Sequence, residues 1–207
     1  MSWKGFSLDS ATSERRRPGA SRVTAVKILI AGGFGAGKTT LVGAISEIPP
    51  LTTEAIMTAA GVGVDDTGGV PGKSTTTVAM DFGRITIAED LILYLFGTPG
   101  QNRFWFMWDE LARGALGAVV IVDTRRIEDS FAALDFFEHL GLPYLAAVNC
   151  FEGAPRYDAE EVRQALAIAG HVPLALFDAR SRDSVRQTLI AVAEHALRTL
   201  TAGRPRP

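Results

Sequence analysis

Almost nothing in this sequence can cross-link, thread a bilayer or seek out nucleic acid. There is one cysteine, Cys150, in 207 residues, which excludes an internal disulfide and fits a reducing cytosol. No apolar run reaches the roughly 20 residues needed to span a bilayer. The formal net charge is −2, so there is no general attraction to nucleic acid or acidic lipid. The N-terminus lacks a signal-peptide pattern. The chain neither begins Met-Gly nor ends in a prenylation box, so a visit to a membrane would need a partner to bring it. Residues 1–21 are polar, carry Arg15, Arg16 and Arg17, and end in Pro18-Gly19 before the first strand. They are expected to form a disordered tail. Residues 22–202 are expected to form one domain with a sizeable core, and residues 203–207 to fray.

What is present begins with Gly32-Gly33-Phe34-Gly35-Ala36-Gly37-Lys38-Thr39. This fits G-x-x-x-x-G-K-[ST], the phosphate-binding loop. An apolar strand is expected before it, from Val23 to Ala31, and a helix after it, from Thr39 to Ser46. Small residues let the backbone wrap a phosphate, with Gly35, Ala36, Gly37, Lys38, Thr39 and Thr40 around it. The helix N-terminus adds partial positive charge. Lys38 would neutralise the β- and γ-phosphates, and the Thr39 hydroxyl would ligate Mg²⁺. The loop implies a nucleoside triphosphate without naming the base or the reaction.

Strands then alternate with helices, which predicts a mostly parallel sheet covered on both faces. Residues 61–76, rich in glycine, are expected to be irregular. Thr77 to Ile87 and Leu91 to Phe96 read as an antiparallel hairpin. Leu116 to Val122 reads as a strand buried on both faces. Tyr144 to Val148 and Val172 to Phe177 complete six strands. Phe131, Leu134, Phe137 and Leu140 recur at helical spacing. Asp158 with Glu161 predicts a capping box. Val185, Leu189, Val192, Ala196 and Leu200 form the stripe of a final helix.

Three later segments suit a nucleotide site. Lys73-Ser74-Thr75-Thr76-Thr77 offers three threonines of the kind that can ligate Mg²⁺ and sense a γ-phosphate. In Gly97-Thr98-Pro99-Gly100-Gln101, the Gly100 N–H can meet the γ-phosphate and the Gln101 amide can orient water. In Asn149-Cys150-Phe151-Glu152, a carboxylate can accept from guanine N1 and N2 while Asn149 braces the loops. Adenine has no such pair of donors. Asp178-Ala179-Arg180 follows the last expected strand, and its Ala179 N–H can meet guanine O6.

In order and spacing, residues 23 to about 200 resemble a Ras-like small GTPase. Gly97-Thr98-Pro99-Gly100-Gln101 with Arg103-Phe104 is similar to the second switch, and Thr77-Val78-Ala79-Met80-Asp81-Phe82 to the first. That likeness selects Thr77 as the switch threonine. Asp129-Ser130-Phe131 resembles a Rab-type helix start. The nearest resemblance is to bacterial MglA-like GTPases, and within these to the actinobacterial conservon GTPases. It implies an α/β P-loop NTPase fold with a six-stranded, mostly parallel sheet and about five helices. It further implies a cytoplasmic GTP/GDP switch with Mg²⁺ and slow hydrolysis, a roadblock/LC7-type partner, and a sensor-kinase-like protein that could recruit it to a membrane.

The sequence departs from the family pattern at three places. Gly97 stands where most of the superfamily has a magnesium-holding aspartate. Cys150 and Glu152 replace lysine and aspartate of the guanine motif. Phe34 replaces a small loop residue; its ring is expected to crowd the path by which a partner's arginine enters and to push the Gln101 amide off the attacking water, the alternative being that it turns away and packs against the switch. Two other readings stay open: a GTPase-like scaffold without turnover, and a P-loop ATPase or small-molecule kinase.

Overall fold

The structure is a computed structural model. It describes residues 23–49, 51–56, 77–100 and 107–202, with the backbone alone at 51–56 and 77–79. The strands are β1 (Thr24–Gly32), β2 (Leu51–Ile56), β3 (Thr77–Ala88), β4 (Leu91–Gly97), β5 (Gly117–Val122), β6 (Tyr144–Asn149) and β7 (Leu174–Phe177). They form one sheet in the order β2-β3-β4-β1-β5-β6-β7. Pairing is parallel from β4 through β7 and antiparallel for β2 with β3 and β3 with β4. The six strands expected from sequence are all present. A seventh, β2, lies on the edge beyond the hairpin, in a segment whose pattern announces no element.

The sequence of β1 explains how the sheet is covered. Side chains alternate between faces along a strand. Ile28 and Ile30 join one buried cluster with Leu41, Val42, Val185, Leu189 and Val192, from helices α1 (Lys38–Ile45) and α5 (Arg182–Ala202). Leu29 and Ala31 join the other. That second layer comes from α2 (Trp108–Ala112), α3 (Phe131–Leu140) and α4 (Ala159–Leu166). All six residues of β5 are buried, as a central parallel strand requires. Burying one Leu or Ile side chain contributes about 1.5–3 kcal/mol, so these two layers fix the C-terminal strand ends from which every site loop emerges.

Helix boundaries follow local chemistry. The Asp158 carboxylate accepts from Glu161 N–H at 2.8 Å, and Glu161 accepts from Asp158 N–H at 3.0 Å, closing the expected capping box. On α3 the buried apolar positions are Ala133, Leu134 and Phe137, whereas Phe131 and Leu140 are exposed. On α5 the stripe is buried through Ala196 and exposed at Leu200. Of the aromatic run 104–108, Trp108 belongs to the core, stacked on Phe137 with ring centroids 5.9 Å apart. Residues 104–106 lie outside the described residues. Among the described residues no helix is long and apolar enough to cross a membrane.

Candidate nucleotide site

The chain leaves β1 at Gly32 and enters α1 at Lys38, with the glycine-rich loop between. Gly37 makes the turn into the helix at φ 115°, and a Cβ there would lie 2.6 Å from Asn149 Nδ2. Both the backbone angle and the close approach therefore require glycine. No side chain caps α1, so its first N–H groups and its dipole are directed at whatever the loop encloses. Thr40 lies in the first turn of α1 and is exposed.

Lys38 folds back into the loop. Its Nζ donates to Gly32 O at 2.9 Å and to Gly33 O at 2.7 Å. Burial pushes its pKa down to about 8, against the opposing pull of the Asp81 carboxylate. Thr98 N–H donates to Ile30 O at 2.8 Å, which ties the end of β4 to β1. This tie presses Gly100 against the loop. A Cβ on Gly100 would lie 2.7 Å from Lys38 Nζ and 3.1 Å from Phe34 N. The Gly100 backbone thus stands beside the phosphate loop.

A residue that the motif reading passed over occupies the position opposite. Thr39 Oγ1 donates to Asp81 Oδ2 at 2.7 Å. Asp81 lies on β3, beside Gly97 of β4, and a Cβ on Gly97 would approach the Asp81 Cβ to 3.0 Å and Oδ2 to 3.2 Å. The carboxylate missing at position 97 is therefore present, projected from the neighbouring strand. A hydroxyl and a carboxylate oxygen in contact form an all-oxygen donor pair suited to a hard cation such as Mg²⁺, which binds one or two protein oxygens plus phosphate and water. Thr77 begins β3 and pairs with Ile56; its side chain lies outside the described residues, as does Gln101.

On the base side, Asn149 ends β6 with its side chain buried between two loops. Nδ2 donates to Ala36 O at 3.0 Å, and Oδ1 accepts from Ala179 N–H at 3.2 Å. Asn149 thus joins the phosphate loop to the turn after β7, the bracing expected of it. Ala179 is buried and its N–H is engaged by Asn149, so meeting a base would require that bond to be shared. The Glu152 side chain is 88% exposed and pairs with Arg180 at 3.3 Å, while Arg180 also holds Asp178 at 3.0 Å. Cys150 turns its thiol back toward Val148 O at 3.9 Å.

A third side of the site was not legible in the motifs. After β5, a 3₁₀ turn (Thr124–Ser130) is capped by the Asp123 carboxylate, which accepts from Arg125 N–H at 3.0 Å. The Arg125 guanidinium hydrogen-bonds Asp123 through both Nε and an Nη, and holds its carboxyl below the usual range. Arg125 also stacks over the Phe151 ring at 3.6 Å. Arg126 donates to Phe34 O at 2.6 Å. Phe34 as a residue is 67% exposed.

Comparisons with known proteins bear on the family and the fold. Residues 30–199 match the family described as "Conserved hypothetical ATP binding protein". The chain is 30% identical over 126 residues to the uncharacterised protein MJ1339 of Methanocaldococcus jannaschii, spanning 60% of this chain and 69% of that one. In fold it is similar to the G domain of the FeoB iron transporter of T. maritima, with TM-score 0.59, 19% identity, and 84% of this chain and 99% of that one covered. The FeoB G domain of Methanococcus jannaschii is similar as well, with TM-score 0.57, 14% identity, and coverage of 84% and 98%. A phosphate loop on a G-domain-like sheet, matched over most of its length by one family model, places this chain in the family of conserved hypothetical ATP-binding proteins, as a nucleotide-binding P-loop protein.

Proposed function

We propose that the chain is a guanine-nucleotide switch with slow hydrolysis, of the Ras-like, MglA-like kind. One observation carries this reading: the Asn149 side chain bonds the phosphate loop and the Ala179 turn at once. That brace supports reading the turns after β6 and β7, with Glu152 and Ala179, as the base side of the site. Glu152 supplies an acceptor-only carboxylate, which suits the paired N1 and N2 donors of guanine. Backbone N–H groups of residues 35–40 cradle the phosphates and Lys38 neutralises them. Thr39, Asp81 and Thr77 are the residues that would hold Mg²⁺, and the ion when bound would supply positive charge for the phosphoryl group. Gly100 N–H meets the γ-phosphate and Gln101 orients the attacking water. A switch of this kind orders residues 61–77 and 97–108 with the triphosphate and loosens them with the diphosphate. The apolar part of 104–107 then serves as the surface for a roadblock/LC7-type protein, with a sensor-kinase-like protein upstream.

A second reading, adenine-nucleotide binding, has its own support. The family description names ATP, and Glu152 is paired with Arg180 rather than free. Identifying the nucleotide that copurifies with the protein, followed by calorimetry with GDP and ADP, separates the two. The guanine reading expects GDP to bind the more tightly; equal or tighter binding of ADP overturns it. Hydrogen exchange that is identical in 61–77 and 97–108 with GDP and with a GTP analogue overturns the switch.

A further inference from the structure

The loop that receives phosphate is held from outside by the turn after β5. Gly33, Phe34 and Gly35 are all touched by it. A Cβ on Gly33 would lie 2.6 Å from Asp129 Cβ, and one on Gly35 would lie 3.2 Å from Arg126 Nη2. Between them the Arg126 guanidinium donates to Phe34 O, across 92 residues of chain. The same guanidinium lies 3.6 Å from the Asp123 carboxylate and 3.8 Å from Asp129. Asp123 stands at the end of β5 with only 3% of its side chain exposed, and is itself locked by Arg125. A continuous path therefore runs from the central strand through Asp123 and Arg126 to the phosphate loop. The 3₁₀ turn breaks at Arg126 (φ −148°, ψ 61°), where the chain leaves helical geometry beneath the loop.

The bond to Phe34 O has a consequence for the next amide. A trans peptide is planar, so the C=O of one residue and the N–H of the next point in opposite directions. Holding Phe34 O on the Arg126 side turns Gly35 N–H away from it. Gly35 sits at φ 74°, and glycine can rotate that peptide at little cost. Without a fixed carbonyl, the peptide between Phe34 and Gly35 can flip and carry this N–H to the Arg126 side. The loop's internal turn bond, Ala36 N–H to Gly33 O, is long at 3.3 Å and leaves the 34–35 peptide free to rotate.

We propose that Arg126 is a positioning residue of the nucleotide site: by holding the Phe34 carbonyl it keeps Gly35 N–H directed at the phosphates, and so sets how long a nucleotide stays bound. This rests on the reading of 32–39 as the phosphate loop, shared by both nucleotide readings above. The effect acts on the loop rather than on one phosphate, so it applies to diphosphate and triphosphate alike. Arg125, stacked on Phe151 from the same turn, grips the base-side loop in parallel.

The test is the release rate of fluorescent mant-GDP and mant-GTP, in Mg²⁺, from the full-length protein and from Arg126→Ala and Arg126→Lys. Wild type is measured first: if it binds neither, the guanine reading fails and the same comparison is made with mant-ADP and mant-ATP. Arg126→Ala is expected to release both nucleotides about tenfold faster, the size expected for one lost charge-assisted bond. Arg126→Lys keeps one point charge without the fork and is expected to recover part of that factor. The melting temperature of the nucleotide-free protein is expected to change little, because the Arg126 side chain is nearly half exposed. Release at the wild-type rate from Arg126→Ala overturns the inference. So does faster release of the triphosphate alone, which would mean direct contact with the γ-phosphate. Should the alanine variant not fold, the lysine variant decides: release at the wild-type rate overturns the proposal, and faster release of both nucleotides supports it.

Discussion

Thr39, at the start of α1, donates its hydroxyl to the carboxylate of Asp81, 42 residues later on β3, at 2.7 Å. The pair joins the phosphate loop to β3, which runs antiparallel to its neighbours β2 and β4, and it stands against Gly97, where the family pattern has its acid. If Asp81 is the magnesium-holding carboxylate, Asp81→Ala should lose most of the Mg²⁺ dependence of nucleotide affinity, at least tenfold for one charged ligand. Adding Gly97→Asp to wild type should not help, because the new side chain collides with Asp81. The double change Asp81→Gly with Gly97→Asp should recover part of the effect by moving the carboxylate one strand over. Titrating Mg²⁺ against nucleotide affinity in the three variants measures this, and an unaltered Mg²⁺ dependence in Asp81→Ala sinks the assignment.

Lys38 predicts a pH dependence with a definite sign. Burial lowers its pKa to about 8 from an ordinary 10.5, so between those values the unfolded chain binds more protons than the nucleotide-free fold. Stability of that form should rise with pH across this window. Phosphate favours the charged lysine and raises its pKa again. Nucleotide binding should therefore take up a proton above about pH 8 and take up none from Lys38 well below it, so affinity falls as pH rises through the window. Calorimetry in two buffers of different ionisation enthalpy reads the uptake directly. No uptake at about pH 8.5 would show that the loop does not recharge Lys38.

If Glu152 reads guanine, Glu152→Ala should lower GDP affinity by on the order of 2–3 kcal/mol and leave ADP affinity nearly unchanged. The Glu152–Arg180 pair is exposed on both sides, so releasing Glu152 from it costs little. Arg180→Ala should then leave GDP binding within a few-fold of wild type. Calorimetry with GDP and ADP reads all four values; a loss shared equally by GDP and ADP would assign Glu152 a structural part only.

Asn149 should matter to stability before any nucleotide is added. Asn149→Ala removes two hydrogen bonds and leaves Ala36 O and the buried Ala179 N–H without them. Destabilisation of about 2–3 kcal/mol is expected, seen as a lower denaturation midpoint at unchanged slope. Asn149→Asp keeps the acceptor for Ala179 N–H and loses the donor to Ala36 O, so it should fall between. A midpoint equal to wild type in Asn149→Ala would remove the brace from the account.

Phe34 carries the expectation of slow hydrolysis. The residue is largely exposed, so Phe34→Gly should cost little hydrophobic stability. If the ring crowds Gln101 or an arginine offered by a partner, single-turnover hydrolysis should rise, by up to about 10²-fold for a relieved mispositioning. An unchanged rate with and without a partner would free the ring of that part.

Legible from sequence alone were the phosphate loop, six of the seven described strands, the burial of β5 and the capping box of α4. Each of these is local: a motif within eight residues, an apolar run, or a pair three residues apart. What lay beyond it was register and reach. Asp81 in isolation is one acid in a β-rich run, and nothing nearby marks it. The hairpin pairs Phe82 with Phe96, but its register shifts between Thr86 and Ala88. That single bulge puts Asp81 beside Gly97. Without it every residue of β3 would slide one place and turn to the other face. Arg126 is similar: two adjacent arginines after a strand read as a solvated turn, until the fold brings one onto a carbonyl 92 residues away and the other onto Phe151. Local chemistry identified the phosphate loop, whereas the sheet register and the β5 turn decided which side chains complete it, because those contacts exist only once distant strands have paired.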